Sequence, residues 1–253
     1  MTKGAHKWAS SPPSKSRAGT PSGFPQRFGL DSRHLALVCA SHSGEERHVR
    51  TAQEILAAIG AQVSDLQCGV HVPLLYRPDE GPVPAKSEFT QLHNNCSGKH
   101  SGMLALARIL NCPLSEYLQV DSVVQRTIRE MVAMMAGVDS ADLQVGTDGC
   151  SAPNYAMPLR ALAYAYARLA GAREHAGRMD SDTRQAAIQI LNAMTQNPEM
   201  VSGTGRLDLA IAEASGRQFI VKAGGEAVQC IGVPDRGWGI AIKIGDGGAR
   251  AVG

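Results

Sequence analysis

The chain has 253 residues, of which 25 are basic and 23 are acidic, so its formal net charge is +2. This length suffices for one large domain or two small ones, and either buries a core without a disulfide or metal staple. No apolar run approaches the roughly 20 residues that a membrane-spanning helix needs. The first 30 residues carry five basic groups and no acid, which leaves a mildly acidic body. A body of this charge excludes the basic surface of a typical nucleic-acid-binding protein.

Cysteine usage indicates a reduced protein. Six cysteines are too sparse for a disulfide scaffold in a chain of this length. The early lysines are not followed by the apolar segment of about 7–15 residues that a secretory signal requires. We therefore expect a cytoplasmic protein with free thiols at positions 39, 68, 96, 112, 150 and 230.

The first 29 residues differ in composition from the rest of the chain. Ser, Pro and Gly dominate the stretch from Ser10 to Gly29, and apolar periodicity is absent. Such a segment buries too little apolar surface to offset the entropy lost on ordering. We predict that residues 1–29 are a disordered or non-native tail and that residues 30–253 form a single domain.

The apolar periodicity from Leu30 onward is mostly helical. The short run Leu35–Ala40 is ambiguous between a strand and a buried helix. Asp121 and Ser181 are predicted N-caps of the helices that follow them, and a further helix is expected to begin near Pro113. The predicted helices cover His48–Ile59, Ser101–Leu110, Ser122–Ala136, Pro158–Ala170, Asp182–Thr195 and Arg206–Ala214.

The C-terminal part changes to strand-like segments. These are Gln218–Lys222, Ala227–Val233 and Trp238–Ile244. The connections between them are too short for a parallel crossover, so an antiparallel meander is predicted. Helices followed by antiparallel strands indicate an α+β fold.

Ser41 follows a buried run in the segment ASHSGE at 40–45. A serine hydroxyl held at the edge of a core acts as a nucleophile when a neighbouring base takes its proton. The alternative is structural, because Ser41 or Ser43 also suits the N-cap of the helix that begins near Glu46. On this segment alone, the capping role is favoured.

Two polar, glycine-rich segments each carry a cysteine. HNNCSGKHSG at 93–102 precedes a helix and places Cys96 and Lys99 three residues apart, on the same side of a helical turn. GTDGCSAPN at 146–154 contains Cys150 and reads as a turn. The two cysteines are candidate soft ligands for zinc. Spacing alone favours two unrelated buried cysteines, since no Cys-x-x-Cys or paired-His motif is present.

Lys222 lies in KAGGE at 222–226, at the end of the first C-terminal strand. A strand-borne Lys-x-Gly beside a serine site occurs in penicillin-binding proteins and class A β-lactamases. An edge-strand lysine is the usual explanation for such an isolated motif.

Taken together, these segments resemble the rhizobial-type (class 3) L-asparaginases of the asparaginase II family. The resemblance covers roughly residues 28–251. It is carried by CASHSGE at 39–45, HNNCSGKHSGM at 93–103, GTDGCSAP at 146–153, NPEMVSGTGRLD at 197–208 and KAGGEA at 222–227.

The resemblance implies a serine β-lactamase-like fold, a homodimer, and hydrolysis of the side-chain amide of L-asparagine to aspartate and ammonia. It also implies a zinc ion held by Cys96, Lys99 and Cys150, and a catalytic Ser–Lys pair formed by Ser41 and Lys222. Three distant segments must then converge, with Ser41 and Lys222 in direct or water-bridged hydrogen-bond contact beside the zinc site.

The sequence departs from the family at a second Ser–Lys pair. The family carries a Ser-x-x-Lys motif upstream of the serine matched by Ser41, and residues 1–253 contain none. The N-terminal strands usual in the family are also missing from this sequence, and the family pattern would place a further helix after Gly253. We therefore expect the domain to be incomplete at its N-terminal strands and its C-terminal end. We therefore expect weak or absent hydrolysis of asparagine. Two other interpretations stay open: another Ser–Lys amidohydrolase, such as a glutaminase or peptidase, and a non-catalytic amino-acid- or zinc-binding relative.

Overall fold

The computed structural model describes residues 24–76, 81–174 and 179–248. It combines helices with antiparallel sheets, which confirms the α+β prediction at that level. The helices are α1 (Phe24–Phe28), α2 (Ser32–Val38), α3 (Glu46–Ala58), α4 (Ser97–Ile109), α5 (Val123–Ala136), α6 (Leu159–Ala170), α7 (Ser181–Gln196), α8 (Pro198–Val201) and α9 (Leu207–Ala214).

The strands form two antiparallel sheets. A hairpin pairs β1 (Gln144–Thr147) with β2 (Pro153–Ala156). The C-terminal meander has the order β3-β4-β5, with β3 at Ile220–Gly224, β4 at Val228–Val233 and β5 at Trp238–Lys243. The meander is confirmed, and its register places Lys222 opposite Cys230.

The ambiguous run Leu35–Ala40 is mostly helical, as part of α2. The three N-cap predictions are wrong. Helix α3 has Glu45 at its N-cap instead of Ser41 or Ser43, and the other two predictions are off by one residue. Ser122 caps α5, because its hydroxyl accepts the Gln125 N–H. Asp180 caps α7, because its carboxylate accepts the Thr183 N–H at 3.0 Å. The neighbouring residues offer the same chemistry, so sequence alone does not fix which of them sits outside the first turn.

The structure also differs from the sequence predictions near Pro113 and at a hairpin, and it describes part of the predicted tail. The helix expected near Pro113 is a single 3-10 turn, Leu114–Glu116. The β1–β2 hairpin was not predicted, since its strands have four residues each and are largely exposed. Of the predicted tail, residues 1–23 lie outside the described residues. Its last part contains helix α1, in which Pro25 is buried.

Close packing of α2 against α4 brings the site segments together. A Cβ added at Gly98 would lie 2.2 Å from the carbonyl oxygen of Leu37, and one at Gly102 would lie 2.5 Å from Val38. Only glycine permits this approach. It places the start of α4 alongside the loop that follows α2, where Ser41 lies.

Two stacked histidines are buried beneath that loop. The rings of His42 and His48 lie 4.9 Å apart, and both side chains are fully buried. His42 Nε2 donates to the Ser97 hydroxyl at 2.9 Å, while Nδ1 accepts the Gly44 N–H at 3.1 Å. Burial lowers the pKa of His42 well below its ordinary value of 6.5 and also lowers the pKa of His48. Both rings are therefore neutral in the folded protein at pH 7.

We expect the free energy of unfolding to fall as the pH drops below about 6.5, because the unfolded chain then protonates these two histidines before the folded protein does. The stability contributed by the two neutral histidines is fully present above that pH. It is lost as the pH falls toward the lowered pKa values of these histidines in the folded protein. Urea midpoints at about pH 7.5 and pH 5.5 measure the effect. His42→Gln is expected to be less stable at the higher pH and less sensitive to acid. Equal midpoints for the unaltered chain at the two pH values would contradict this account.

Candidate active site

A polar cavity of about 630 Å³ lies where six separate segments meet. Its walls come from the loop after α2, the loop that carries His71 and Leu74, the start of α4, the turn between β1 and β2, the residue before α9, and strand β3. The five residues predicted from the sequence all line it: Ser41, Cys96, Lys99, Cys150 and Lys222. Their convergence is an observation about the fold, whereas the chemical role of each remains a prediction.

Ser41 is held by backbone and side-chain contacts at one wall. Its N–H donates to the Val201 carbonyl at 3.0 Å, and its Oγ accepts the Asn95 side-chain N–H at 2.9 Å. Asn95 is fixed in turn by His71, whose Nε2 accepts the Asn95 backbone N–H at 3.1 Å. His71 Nδ1 donates to the carbonyl of Val72 at 2.6 Å, and its Nε2 also lies 3.0 Å from Asn95 Oδ1. The hydroxyl of Ser41 is therefore exposed to the cavity in a defined orientation.

Lys222 extends from β3 on the other side of the cavity. Burial is the main cause that lowers its pKa below the ordinary 10.5; the charges of Lys99 and Arg206 act in the same direction, whereas Asp208 opposes them. Its Nζ donates to the carbonyl of Ala223. No direct hydrogen bond joins Lys222 to Ser41 among the described residues, so the direct contact allowed by the prediction is absent in this conformation.

Helix α9 fixes the position of β3. The buried carboxylate of Asp208 accepts the Ala223 N–H at 2.9 Å and the Gln229 side-chain N–H at 3.0 Å. Arg206 precedes the same helix and lines the cavity. One short helix therefore positions the backbone beside Lys222 and places a guanidinium at the site.

Two thiols and a carboxylate converge opposite this strand. The Sγ atoms of Cys96 and Cys150 and a carboxylate oxygen of Asp148 all lie within 4.8 Å of one another. Asn94 fixes the start of α4 by accepting the Cys96 N–H at 2.9 Å. On the other side, Ser151 adopts a positive φ of 68°, and its N–H donates to the Asp148 carbonyl at 2.9 Å to close the turn. The start of α4 and the turn between β1 and β2 thus place the two cysteines close to each other.

The two cysteines of the cluster have pKa values shifted in opposite directions. A side-chain hydrogen bond with Cys96, together with one from His100 and the charge of Lys99, lowers the pKa of Cys150, whereas burial opposes this shift. The pKa of Cys96 is raised, because it donates that hydrogen bond and is buried. Although burial lowers the pKa of Lys99, the cysteines and Asp148 outweigh it and raise the pKa overall. Lys99 Nζ donates to Asp148 at 2.9 Å, as an ion pair between half-buried groups.

The donor chemistry of the cluster fits zinc. Paired cysteine sulfurs with nitrogen or oxygen donors form a common zinc ligand set. Cys96 and Cys150 supply the sulfurs, and Lys99 and Asp148 are the adjacent nitrogen and oxygen donors. A bound cation favours thiolate forms of both cysteines and a neutral amine at Lys99.

The model of the L-asparaginase II family matches residues 10–253. The chain belongs to this family. The resemblance drawn from the motifs is thereby confirmed. No curated protein sequence matches the chain significantly. Membership in the L-asparaginase II family indicates a hydrolase that acts on the amide of asparagine, with a small molecule as its substrate.

The structure adds residues that the sequence analysis did not single out. Asp148 lies within the quoted GTDGCSAP segment, and a carboxylate two residues before a candidate ligand was the available signal. Arg206 likewise lies within the quoted NPEMVSGTGRLD segment, whereas His71, in a proline-rich loop outside the quoted segments, carried no usable signal. Within the described residues, no helix has the length and apolar character needed to cross a membrane.

Proposed function

We propose that this protein hydrolyses the side-chain amide of L-asparagine to L-aspartate and ammonia, with Ser41 as nucleophile and Lys222 as base. The observation that carries the proposal is the convergence of Ser41, Lys222 and the cysteine cluster on one polar cavity of about 630 Å³. A cavity of this size exceeds what one asparagine needs, and it combines a nucleophile, a base and several charged groups.

Asn95 prepares Ser41 for attack. Because the Asn95 side chain donates to Oγ, the hydroxyl hydrogen of Ser41 points elsewhere and is available to a base. Its oxygen attacks the amide carbon, the C–N bond breaks, and water later releases aspartate from the ester. His71 is a positioning residue here, since it acts by fixing Asn95.

Lys222 supplies the proton path. Its amine takes the Ser41 proton when neutral and returns it to the leaving nitrogen. This requires Nζ to swing from the Ala223 carbonyl toward Ser41 across the shared cavity. Burial favours the neutral form, because it lowers the pKa of Lys222.

We expect Lys222→Arg to lower kcat/KM at least about 100-fold, because a guanidinium keeps the charge and does not act as a base near neutral pH. In the unaltered protein, kcat/KM should rise with pH as Lys222 loses its proton, with an apparent pKa below 10.5. The measurement is a pH–rate profile of both proteins. A variant that retains both the rate and the rising limb would exclude Lys222 as the base.

The charged groups of the cavity suit the two ends of an amino acid. Arg206 offers a guanidinium to the α-carboxylate. Asp148 offers a carboxylate to the α-ammonium when Lys99, and not Asp148, is the zinc donor. Charge-assisted hydrogen bonds of this kind contribute about 1.5–3 kcal/mol each. Together they orient the side-chain amide toward Ser41.

We propose that zinc is held by Cys96, Lys99 and Cys150, with Asp148 beside them as the alternative oxygen donor. When bound, the ion supplies a fixed positive charge that stabilises negative charge on the substrate. Lys99 keeps Asp148 in place in the metal-free protein.

We also infer a serine β-lactamase-like fold and a homodimer. The antiparallel meander with helices packed on it supports the first. For the second, β5 is an edge strand of the described sheet, and it exposes Trp238 by 60%, Ile242 by 45% and Ile240 by 39%. Contiguous exposed apolar surface of this kind is typical of association sites.

A second candidate function is non-catalytic binding of an amino acid or zinc. One observation favours it: residues 1–253 contain no Ser-x-x-Lys motif, so the cavity has one candidate serine. For this reason we expect slow turnover.

An ammonia-release assay on the zinc-loaded full chain with L-asparagine and L-glutamine separates the candidate functions. Release from asparagine far above that from glutamine supports the asparaginase. Equal release indicates another amidohydrolase, and saturable binding without release indicates a binding protein.

A further inference from the structure

An apolar chamber adjoins the polar cavity. It is a partly open pocket of about 340 Å³, lined by residues of α5, α6, α7 and β3. Its characteristic wall residues are Met131, Met135, Tyr166, Ile190 and Met194, with Asp182 and Thr183 contributing from the start of α7. Methionine side chains adapt to ligands of different shape because they are unbranched and flexible. We call this space the apolar chamber.

The chamber borders the polar cavity at Lys222 and Cys39. Both residues line both spaces. Lys222 comes from β3, and Cys39 follows α2 two residues before Ser41. Burial raises the pKa of the Cys39 thiol to about 11, so this side of the junction is uncharged at neutral pH. Of the described residues that line both spaces, only Lys222 is therefore charged.

The size and chemistry of the chamber suit a hydrocarbon group. Apolar cavities of about 150 Å³ already take up benzene. The chamber has about twice that volume, room for a phenyl ring or a short alkyl chain. An asparagine side chain has no group to fill it, because its amide ends at the nitrogen.

The position of Lys222 determines which part of a substrate lies next to the chamber. The base that takes the Ser41 proton delivers it to the leaving nitrogen, so that nitrogen must lie at Lys222. A substituent on the nitrogen then points into the chamber. The α-carboxylate and α-ammonium remain in the polar cavity near Arg206 and Asp148.

We propose that the protein accepts L-asparagine derivatives that carry an apolar alkyl or aryl group on the amide nitrogen. This inference rests on the proposed function. The chemical step is unchanged: the Ser41 oxygen bonds to the amide carbon, the C–N bond breaks, the proton of Ser41 passes through Lys222 to the leaving amine, and water cleaves the ester. The products are aspartate and an apolar primary amine instead of ammonia.

The test compares L-asparagine with derivatives that carry methyl, butyl and benzyl groups on the amide nitrogen. The release of amine is measured with the full chain. We expect kcat/KM to rise by about fourfold for each buried methylene from methyl to butyl. Ala186→Phe, which places a ring in the chamber, should abolish this rise, measured as the ratio of butyl to unsubstituted substrate in the same variant. Gln185→Phe puts the same ring on the exposed face of α7 and should keep the ratio.

Binding of benzylamine separates the inference from the proposed function. Titration calorimetry should show saturable binding to the unaltered chain and to Gln185→Phe, and none to Ala186→Phe. If no amide is hydrolysed but this pattern holds, the chemistry is wrong and the chamber still takes an apolar amine. If Ala186→Phe is unfolded by circular dichroism, Ala165→Leu on α6 repeats the comparison. A flat substrate series together with absent benzylamine binding would overturn the inference.

Discussion

Ser41→Ala is expected to reduce hydrolysis of L-asparagine to the background of the assay, a loss of about 10³-fold or more in kcat. Removing a covalent nucleophile eliminates the acyl-enzyme route, and the remaining groups of the site give only residual catalysis. The expected rate of the unaltered chain is itself low, so ammonia release must be followed to many turnovers per site with zinc-loaded protein. Substrate binding should persist, because the charged groups of the cavity remain.

Ser43→Ala is the matched control for this experiment. Ser43 lies two residues further along the same loop, its side chain is buried, and its hydroxyl has no partner among the described residues. It does not line the cavity. The control should keep the rate of the unaltered chain. If both variants lose activity equally, the loop is needed for folding and Ser41 is not distinguished. If Ser41→Ala keeps the full rate, the nucleophile is elsewhere.

The double variant Cys96→Ser/Cys150→Ser is expected to lose bound zinc, from about one equivalent per chain to nearly none. Both sulfurs belong to the cluster whose ligand atoms lie within 4.8 Å of one another. Zinc sites with cysteine ligands depend on thiolates, and a serine hydroxyl replaces them poorly because it stays protonated. Elemental analysis after dialysis of metal-loaded protein measures the change.

Cys112→Ser serves as the control for metal binding. Cys112 is half-buried after α4 and does not line the polar cavity. Its replacement should leave the zinc content unchanged. Two more variants identify the remaining donor: Lys99→Met lowers the zinc content if the amine is a ligand, and Asp148→Asn lowers it if the carboxylate is. Equal zinc in the double variant and the unaltered chain would rule out this site.

Much of the fold could be predicted because its signals are local. The period of Val49, Ala52 and Ile55 predicts α3, which the structure places at Glu46–Ala58. The short connections of the C-terminal strands predict their antiparallel order, and β3-β4-β5 confirms it. The β1–β2 hairpin was not predicted, because its four-residue, largely exposed strands show no alternation of apolar and polar residues.

The candidate site was only partly predictable, for a physical reason. Cys96, Cys150 and Lys222 could be assigned to a site because they lie in the segments that carry the family resemblance, whereas their spacing alone favoured structural roles. Contacts across the fold carry no such signal: the hydrogen bond of Asn95 to Ser41 joins residues 54 positions apart, and the ion pair of Lys99 with Asp148 spans 49 positions. These pairings depend on how α2 packs against α4 and on the turn before Cys150, which no local pattern specifies.

The most direct test of the Ser41 mechanism is mass spectrometry of the full chain, quenched in acid during turnover of L-asparagine and then digested. The account predicts an aspartyl ester on the peptide that contains Ser41 in the unaltered chain, and no such ester in Ser41→Ala. In Lys222→Arg, the ester should accumulate above the level of the unaltered chain only if the substitution slows deacylation more than acylation. An aspartyl adduct on any other residue, or one that persists in Ser41→Ala, would contradict the assignment of Ser41 as the nucleophile.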